Sequence, residues 1–328
     1  MNRPPQRAIT FTAQQRAELL ETPPDPRPLG DDEVAGRTVA TLVSPGTEIG
    51  GVYLGDRFPS RPGTAAVFEV EEAGAHVRDI RIGDRVFTAA GHRSWQRRRR
   101  EDVLPLPQGL APDTAVFARL MGVSMTTLAT TDVRPPAPVL VTGLGIVGNL
   151  AAQLFAACGY EVFAAEPSAA RRELAHAKGI ARTFVRTPTD DPALVDRIGL
   201  VLECSGHEQA ALDGCKVAAK GGEVVLIGVP WRAQAPHLQA HALAHAVFFR
   251  YVRLRSGWEW ELPTQPAEFA RGNIADNFAA ALRWLAAGRV RVDGLYDTAQ
   301  PEAAQRVYQD LLHQRSAHLA TVFDWATP

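Results

Sequence analysis

The segment Val139-Leu-Val-Thr-Gly143-Leu-Gly145-Ile-Val-Gly148 constrains this chain more than any other. An apolar run leads straight into glycines at G-x-G-x-x-G spacing, and a helical pattern, Ile146–Cys158, follows. Glycine spacing alone is common, but in this context each glycine has a task. Gly143 permits a tight turn, Gly145 lets a pyrophosphate approach the backbone, and Gly148 lets the helix pack close on the strand. The helix opening at Ile146 and Val147 presents free N–H groups and the positive end of its dipole to the phosphates. About 20 residues on, the strand Glu161–Glu166 ends in a carboxylate suited to the adenosine ribose hydroxyls. Glu166 repels a 2′-phosphate, which favours NAD over NADP. Arg171 and Arg172, one turn into the next helix, keep NADP possible; otherwise they are solvated helix residues.

This fingerprint sits in a chain of 328 residues, a length that suits two domains. Up to about Leu110 the pattern is β-rich. ITFTA, GRTVATLV, AAVFEVEEAG and GDRVFTAAG are short runs punctuated by Gly and Pro, and they suggest a small barrel or sandwich. Apart from Gln14–Glu21, no amphipathic run interrupts them. A helix is expected from Asp113 to about Thr130. Strands and helices then alternate: strands at Val139–Thr142, Glu161–Glu166, Leu200–Cys204 and Glu223–Val229, with helices at Ile146–Cys158, Ser168–Lys178 and Glu208–Val217. Such alternation implies βαβ units and a parallel sheet. Helices at Phe278–Ala287 and Pro301–Leu312 and a strand in HLATVFDW close the chain.

The totals exclude several classes. A net charge of −1 gives no reason to expect nucleic acid or an anionic membrane as partner. Cys158, Cys204 and Cys215 are scattered, so neither a disulfide framework nor a cysteine zinc site is expected. No signal-peptide pattern opens the sequence and no apolar run of about 18 residues occurs, so a cytoplasmic enzyme is the default.

A β-rich domain followed by a dinucleotide-binding unit and a return segment resembles the medium-chain dehydrogenase/reductase superfamily, which includes the zinc alcohol and polyol dehydrogenases. Gly83-Asp-Arg-Val86 resembles the superfamily's GDRV strand, and Gly122-Val-Ser124 its GVT segment. Val201-Leu-Glu-Cys-Ser205-Gly206 and Val224-Val-Leu-Ile-Gly228 resemble later strands of its cofactor domain. The resemblance implies an α/β fold: a GroES-like β-rich domain over residues 1–118 and 273–328, and a Rossmann doubly wound parallel sheet over 119–272. It implies that Ser124, Ser205 and Gly228 lie at the cofactor. Within the superfamily, Ser44-Pro-Gly-Thr-Glu48, Arg255-Ser-Gly-Trp258 and Val322-Phe-Asp-Trp325 resemble the bacteriochlorophyllide dehydrogenase-like subgroup.

Where zinc relatives carry a ligating cysteine, this chain has Pro45. Pro62-Gly63 is followed by Thr64-Ala65 instead of histidine and glutamate, and the third ligand position falls at Ala118–Leu120. Catalytic zinc needs about three N, S or O side-chain ligands, so a zinc-less member is expected. His237, His241 and His245 recur every fourth residue; a metal there or a polar helix stripe are the two readings.

Without zinc, hydride transfer still requires a proton donor or acceptor and stabilisation of the developing alkoxide. The candidates are Thr47, Glu48 and His92. By the resemblance, Thr47 hydrogen-bonds the substrate oxygen. Glu48 supports the turn or serves as base, with support preferred. His92 is expected in a loop facing a cleft between the domains, where a near-neutral pKa suits proton transfer. Arg97–Arg100 with Trp95 either attracts an anionic substrate or forms a solvated strand, and Trp231 either walls the substrate pocket or simply packs. The expected reaction is reversible hydride transfer between NAD(H) and a secondary alcohol or ketone, with a polyhydroxylated, cyclic or biosynthetic small-molecule substrate. Two alternatives stay open: an NADPH-dependent enone or quinone reductase, and a non-catalytic dinucleotide-binding module. By analogy with the superfamily a homodimer is expected, with Tyr251–Ser256 as the edge strand.

Overall fold

The computed structural model describes residues 5–326. They divide into two units: one holds the chain up to Arg119 and again from Val292 onward, the other Leu120–Arg291.

In the first unit β1 (Gln6–Ala13) and β2 (Arg16–Thr22) form an antiparallel hairpin. The amphipathic run at Gln14–Glu21 is therefore extended. Ile9 faces Leu19, Phe11 faces Ala17, and Gln15 takes φ 58° at the turn. The hairpin wins because Ala17, Ile9 and Phe11 enter one buried cluster with Tyr53 and Tyr308. The chain continues through β3 (Glu33–Leu42), a π-helical segment Gly46–Tyr53, β4 (Ala66–Ala73), β5 (Arg85–Thr88), β6 (Trp95–Arg99), β7 (Val103–Pro105) and the short helix α1 (Pro112–Ala115).

After α2 (Ala118–Thr130) comes the alternating region: β8 (Pro138–Thr142), α3 (Ile146–Ala157), β9 (Glu161–Ala165), α4 (Ala169–His176), β10 (Thr183–Phe184), β11 (Ile198–Glu203), α5 (Glu208–Val217), β12 (Ala218–Leu226), α6 (Ala240–Arg250), β13 (Arg253–Ser256) and α7 (Ile274–Ala286). Six parallel strands lie in the order β10-β9-β8-β11-β12-β13. The order reverses direction between β8 and β11, and ligands of such sheets bind beyond the carboxyl ends of the strands at that switch. Val139, Leu140 and Val141 of β8 and Leu200, Val201 and Leu202 of β11 are fully buried, as strands covered on both faces must be.

The chain then returns to the first unit with β14 (Tyr296–Ala299), α8 (Ala304–Leu312) and β15 (Ala320–Asp324). These strands extend a mixed seven-stranded sheet ordered β14-β15-β3-β4-β5-β7, with β6 paired to β3. The fold is α/β, with a Rossmann-like parallel sheet and a separate mixed β-sheet. The return falls at Val292 instead of residue 273 because α7 belongs to the parallel-sheet unit. Phe278 of α7 packs where Gly122 lacks a side chain; a Cβ there would lie 2.4 Å from the ring. Arg291 N donates to Gln153 Oε1 at 2.8 Å, and Gln153 Nε2 donates to the Arg291 carbonyl at 3.0 Å. The helix expected over Asp113–Thr130 is broken into α1 and α2, and Pro301–Leu312 begins as a 3-10 turn, Pro301–Ala303.

Candidate functional site

At the carboxyl end of β8 the three glycines take up three distinct environments. Gly143 has φ +82°, and a Cβ on it would come 2.9 Å from Ser205. Gly148 presses on the loop so closely that a Cβ would sit 1.8 Å from the Gly143 carbonyl oxygen. Gly145 is the N-cap of α3, and a Cβ there would meet nothing within 4 Å. The first two glycines close the turn; the third leaves its outer surface open. No side chain caps α3. Its first-turn N–H groups, beginning at Ile146 and Val147, therefore keep their capacity for an anion.

Glu166 lies just beyond the end of β9 and is buried. Its Oε2 accepts from Leu144 N at 2.8 Å and its Oε1 from Ser168 N at 2.9 Å. A carboxylate has about four acceptor positions, so two remain for ribose hydroxyls. Arg171 Nη1 stands 3.8 Å from Glu166 Oε2. Arg172 is committed to the backbone, donating to the carbonyls of Glu166 and Pro167.

Glu203, at the end of β11, was not singled out in the sequence although its position is informative: a carboxylate closing a wholly apolar strand. It accepts from Ser205 N at 2.7 Å and Gly206 N at 3.1 Å, and the Ser205 hydroxyl also donates to it. It thereby shapes the turn that carries Ser205. Burial pushes its carboxyl above the ordinary range, opposed by these donors. Gly228 N donates to the Glu203 carbonyl at 2.7 Å, and a Cβ on Gly228 would meet Gly206 N at 2.2 Å. Ser124, on α2, is buried and its Oγ has no hydrogen-bond partner among the described residues. An orphaned buried hydroxyl invites a ligand. The open space at Gly145, the uncapped helix, Glu166 and this hydroxyl together fit a nicotinamide dinucleotide.

The first unit holds the other candidates. Thr47 is exposed at the start of the segment Gly46–Tyr53. Glu48, next to it, is buried and accepts from Ser44 N at 2.8 Å and from the Tyr308 hydroxyl at 2.5 Å. His92 Nε2 lies 3.0 Å from Glu48 Oε2, and Nδ1 lies 2.7 Å from Thr41 Oγ1, which accepts from Trp325 Nε1 at 2.9 Å. Facing a carboxylate, Nε2 carries the proton and Nδ1 accepts from the threonine hydroxyl. Burial and the Glu48 charge push the Tyr308 hydroxyl well above its usual pKa, so it remains a donor.

His92 does lie in the loop between β5 and β6, but that loop does not leave it open: its side chain is 0% exposed, with the ring set edge-on to Phe323. Tertiary packing from β15 and α8, more than 200 residues away in sequence, encloses it. Tyr308 and Thr41 carried no local signal that would have placed them in this network. Trp95 is half-buried on β6, and Trp231 is exposed.

Where the sequence resemblance would place zinc ligands stand Pro45, Thr64, Ala65, Ala118, Arg119 and Leu120, side chains that do not make up a zinc donor set. His241 and His245 lie on α6 with ring centroids 6.0 Å apart, while His237 lies in the preceding turn. Among the described residues no group of three or more His, Cys, Asp or Glu side chains is arranged to hold a metal ion.

A zinc-binding dehydrogenase family model matches residues 147–259. L-threonine 3-dehydrogenase of Caldanaerobacter subterraneus subsp. tengcongensis is 27% identical over 249 residues, which is 62% of this chain and 70% of that protein. Galactitol-1-phosphate dehydrogenase from Escherichia coli is similar in structure, with a TM-score of 0.80 at 16% identity over 97% of this chain and 99% of that one. Acetophenone reductase from Geotrichum candidum NBRC 4597, solved in complex with NAD, has a TM-score of 0.79 at 15% identity over the full length of both chains. The solved structures show the shared fold, and the family match is confined to residues 147–259. No helix among the described residues is long and apolar enough to cross a membrane.

Proposed function

We propose that this chain is a zinc-independent medium-chain oxidoreductase, of the bacteriochlorophyllide dehydrogenase-like subgroup, that interconverts a secondary alcohol and a ketone with NAD(H) in the cytoplasm. The observation that carries the reading is the turn Gly143–Gly148, closed at two glycines and open at the third, before an uncapped helix. When bound, the nicotinamide gives or takes the hydride. The backbone at Gly145 and the α3 N-terminus hold the pyrophosphate. Glu166 takes the ribose hydroxyls and disfavours a 2′-phosphate, which argues against an NADPH-dependent reductase. Ser124 offers its unpartnered hydroxyl to the nicotinamide end.

In the first unit, Thr47 presents its hydroxyl to the substrate oxygen. Glu48, His92 and Tyr308 are positioning residues: their closed network holds the segment on which Thr47 stands. The substrate is a polyhydroxylated, cyclic or biosynthetic small molecule. The working form is a homodimer; β13 (Arg253–Ser256) is an edge strand whose N–H and C=O groups are available for pairing.

The test combines NADH and NADPH fluorescence titrations, zinc analysis of the purified protein, and NADH oxidation over a ketone panel with wild type and Thr47→Ala. Expected are tighter NADH than NADPH binding, substoichiometric zinc and a much slower Thr47→Ala enzyme. Absence of affinity for both dinucleotides refutes the reading. Turnover by wild type that Thr47→Ala leaves unchanged refutes the assigned role of Thr47.

A further inference from the structure

Five arginines cluster on β6 and the residues flanking it, and three of them are matched by carboxylates. Arg97 Nε donates to Glu33 at 2.8 Å, and the same guanidinium reaches the carbonyls of Arg27 and Pro28. Arg99 pairs with Glu101 at 3.1 Å, and Arg100 donates to Asp79 at 2.7 Å. These are the satisfied cations of an ordinary solvated strand.

Arg93 and Arg98 are different. Both are partly buried, and among the described residues neither lies within ion-pairing distance of a carboxylate. Arg98 Nε is buried without a hydrogen-bond partner, and Nη1 finds only the carbonyl of its neighbour Arg97, at 3.4 Å. The Arg93 guanidinium folds back beside Gly91, where a Cβ would lie 3.9 Å from Nη2. The charge of Arg93 acts on Arg98, and that of the exposed Arg61 acts on Arg93; only Asp102 partly offsets them. Burial and like charge together lower both guanidinium pKa values. Desolvating a cation beside another cation costs free energy, and among the described residues no carboxylate at ion-pairing distance returns it. An arriving anion would return it through paired, forked hydrogen bonds.

We infer that Arg93 and Arg98, with Arg61 at the rim, form a subsite for a compact oxyanion, a phosphate monoester or carboxylate carried by a small molecule. Both guanidinium groups are partly buried, so a compact anion suits the place and a long polyanion does not. Arg93 directly follows His92, whose ring belongs to the network supporting Thr47. The subsite thus sits in the same unit as the hydroxyl assigned to the substrate oxygen. Identifying its ligand as part of the substrate rests on the functional reading above; the subsite itself does not.

The test uses the full chain with inorganic phosphate and malonate as probes, in chloride-matched buffer, by titration calorimetry and thermal unfolding. Wild type is expected to bind a probe and to unfold at a higher temperature in its presence. Arg93→Gln and Arg98→Gln should each lower that affinity at least about tenfold, and Arg99→Gln should leave it unchanged. Without a probe, Arg93→Gln and Arg98→Gln should unfold no earlier than wild type, since each relieves a repulsion. Preference for phosphate indicates a phosphorylated ligand, and preference for malonate a carboxylate. Phosphate held at the α3 N-terminus would survive both substitutions, and undiminished affinity in both variants overturns the inference. So does a wild type that binds neither probe, or an Arg99→Gln that loses as much as Arg98→Gln. NADH affinity measured on the same samples keeps failure of the dinucleotide reading separate from failure of the subsite.

Discussion

Gly145→Ala separates the cofactor site from the fold that carries it. Gly145 has φ −61° and ψ −178°, values open to any L-residue, and its Cβ would meet nothing within 4 Å. Alanine there should be neutral, or stabilising by about 0.4–1 kcal/mol through the unfolded chain. The ligand meets a different surface. A phosphate oxygen bonded to a backbone N–H sits about 2.9 Å from the nitrogen. A new methyl group keeps it roughly 3.5 Å or more from the added carbon, which displaces it and weakens one or two charge-assisted hydrogen bonds. Each is worth about 1.5–3 kcal/mol, so NADH affinity should fall at least about tenfold. Fluorescence titration with NADH, alongside thermal unfolding, reads both quantities. Gly148→Ala is the contrast: its Cβ would lie 1.8 Å from the Gly143 oxygen, so the fold itself should lose about 1–3 kcal/mol or more. If Gly145→Ala binds NADH within about twofold of wild type, the pyrophosphate does not lie on this turn and the reasoning fails.

Other outcomes follow from the same geometry. Glu166→Gln removes the charge facing the adenosine ribose while keeping an acceptor; with Arg171 beside it, NADPH affinity should rise relative to NADH by about tenfold, and an unchanged ratio in paired titrations counts against Glu166 as the discriminator. Tyr308→Phe deletes a buried donor to Glu48 at constant shape and should cost about 1.5–3 kcal/mol, seen as a lower denaturant midpoint with NADH affinity unaltered. Burial holds the Glu203 carboxyl above its ordinary 4.5, so its contribution to stability is whole below that pH and fades as pH rises through the raised value. Glu203→Gln should flatten that part of the stability profile, and a variant profile superimposable on wild type would contradict it. Burial pushes the Cys215 thiol up to about 11, so it should not react with a disulfide reagent at pH 8 until the chain is unfolded; rapid native labelling of Cys215 would show the burial to be wrong.

The parallel sheet was legible because its signals are local. β8 and β11 are apolar on both faces, and α5 begins and ends where the pattern from Glu208 to Val217 does. Ser168 N-caps α4 as its side chain suggests, accepting from Arg171 N. β2 was less legible: seven residues, Arg16–Thr22, fit a helix face and a strand face almost equally well, and only pairing with β1 separates them. The return boundary was missed for the same reason, since the place of α7 depends on Phe278 finding Gly122.

Sequence alone determined the glycine-rich turn and its distal acid, because each is a property of residue type at short fixed spacing. Tertiary structure alone decided the fate of the charged and titratable side chains. His92 became an enclosed link between Glu48 and Thr41, Arg97 was neutralised, and among the described residues Arg93 and Arg98 have no carboxylate at ion-pairing distance. Burial and partnership set the chemistry of such groups, and their partners come from segments as distant as α8 and β15, beyond the reach of any local pattern.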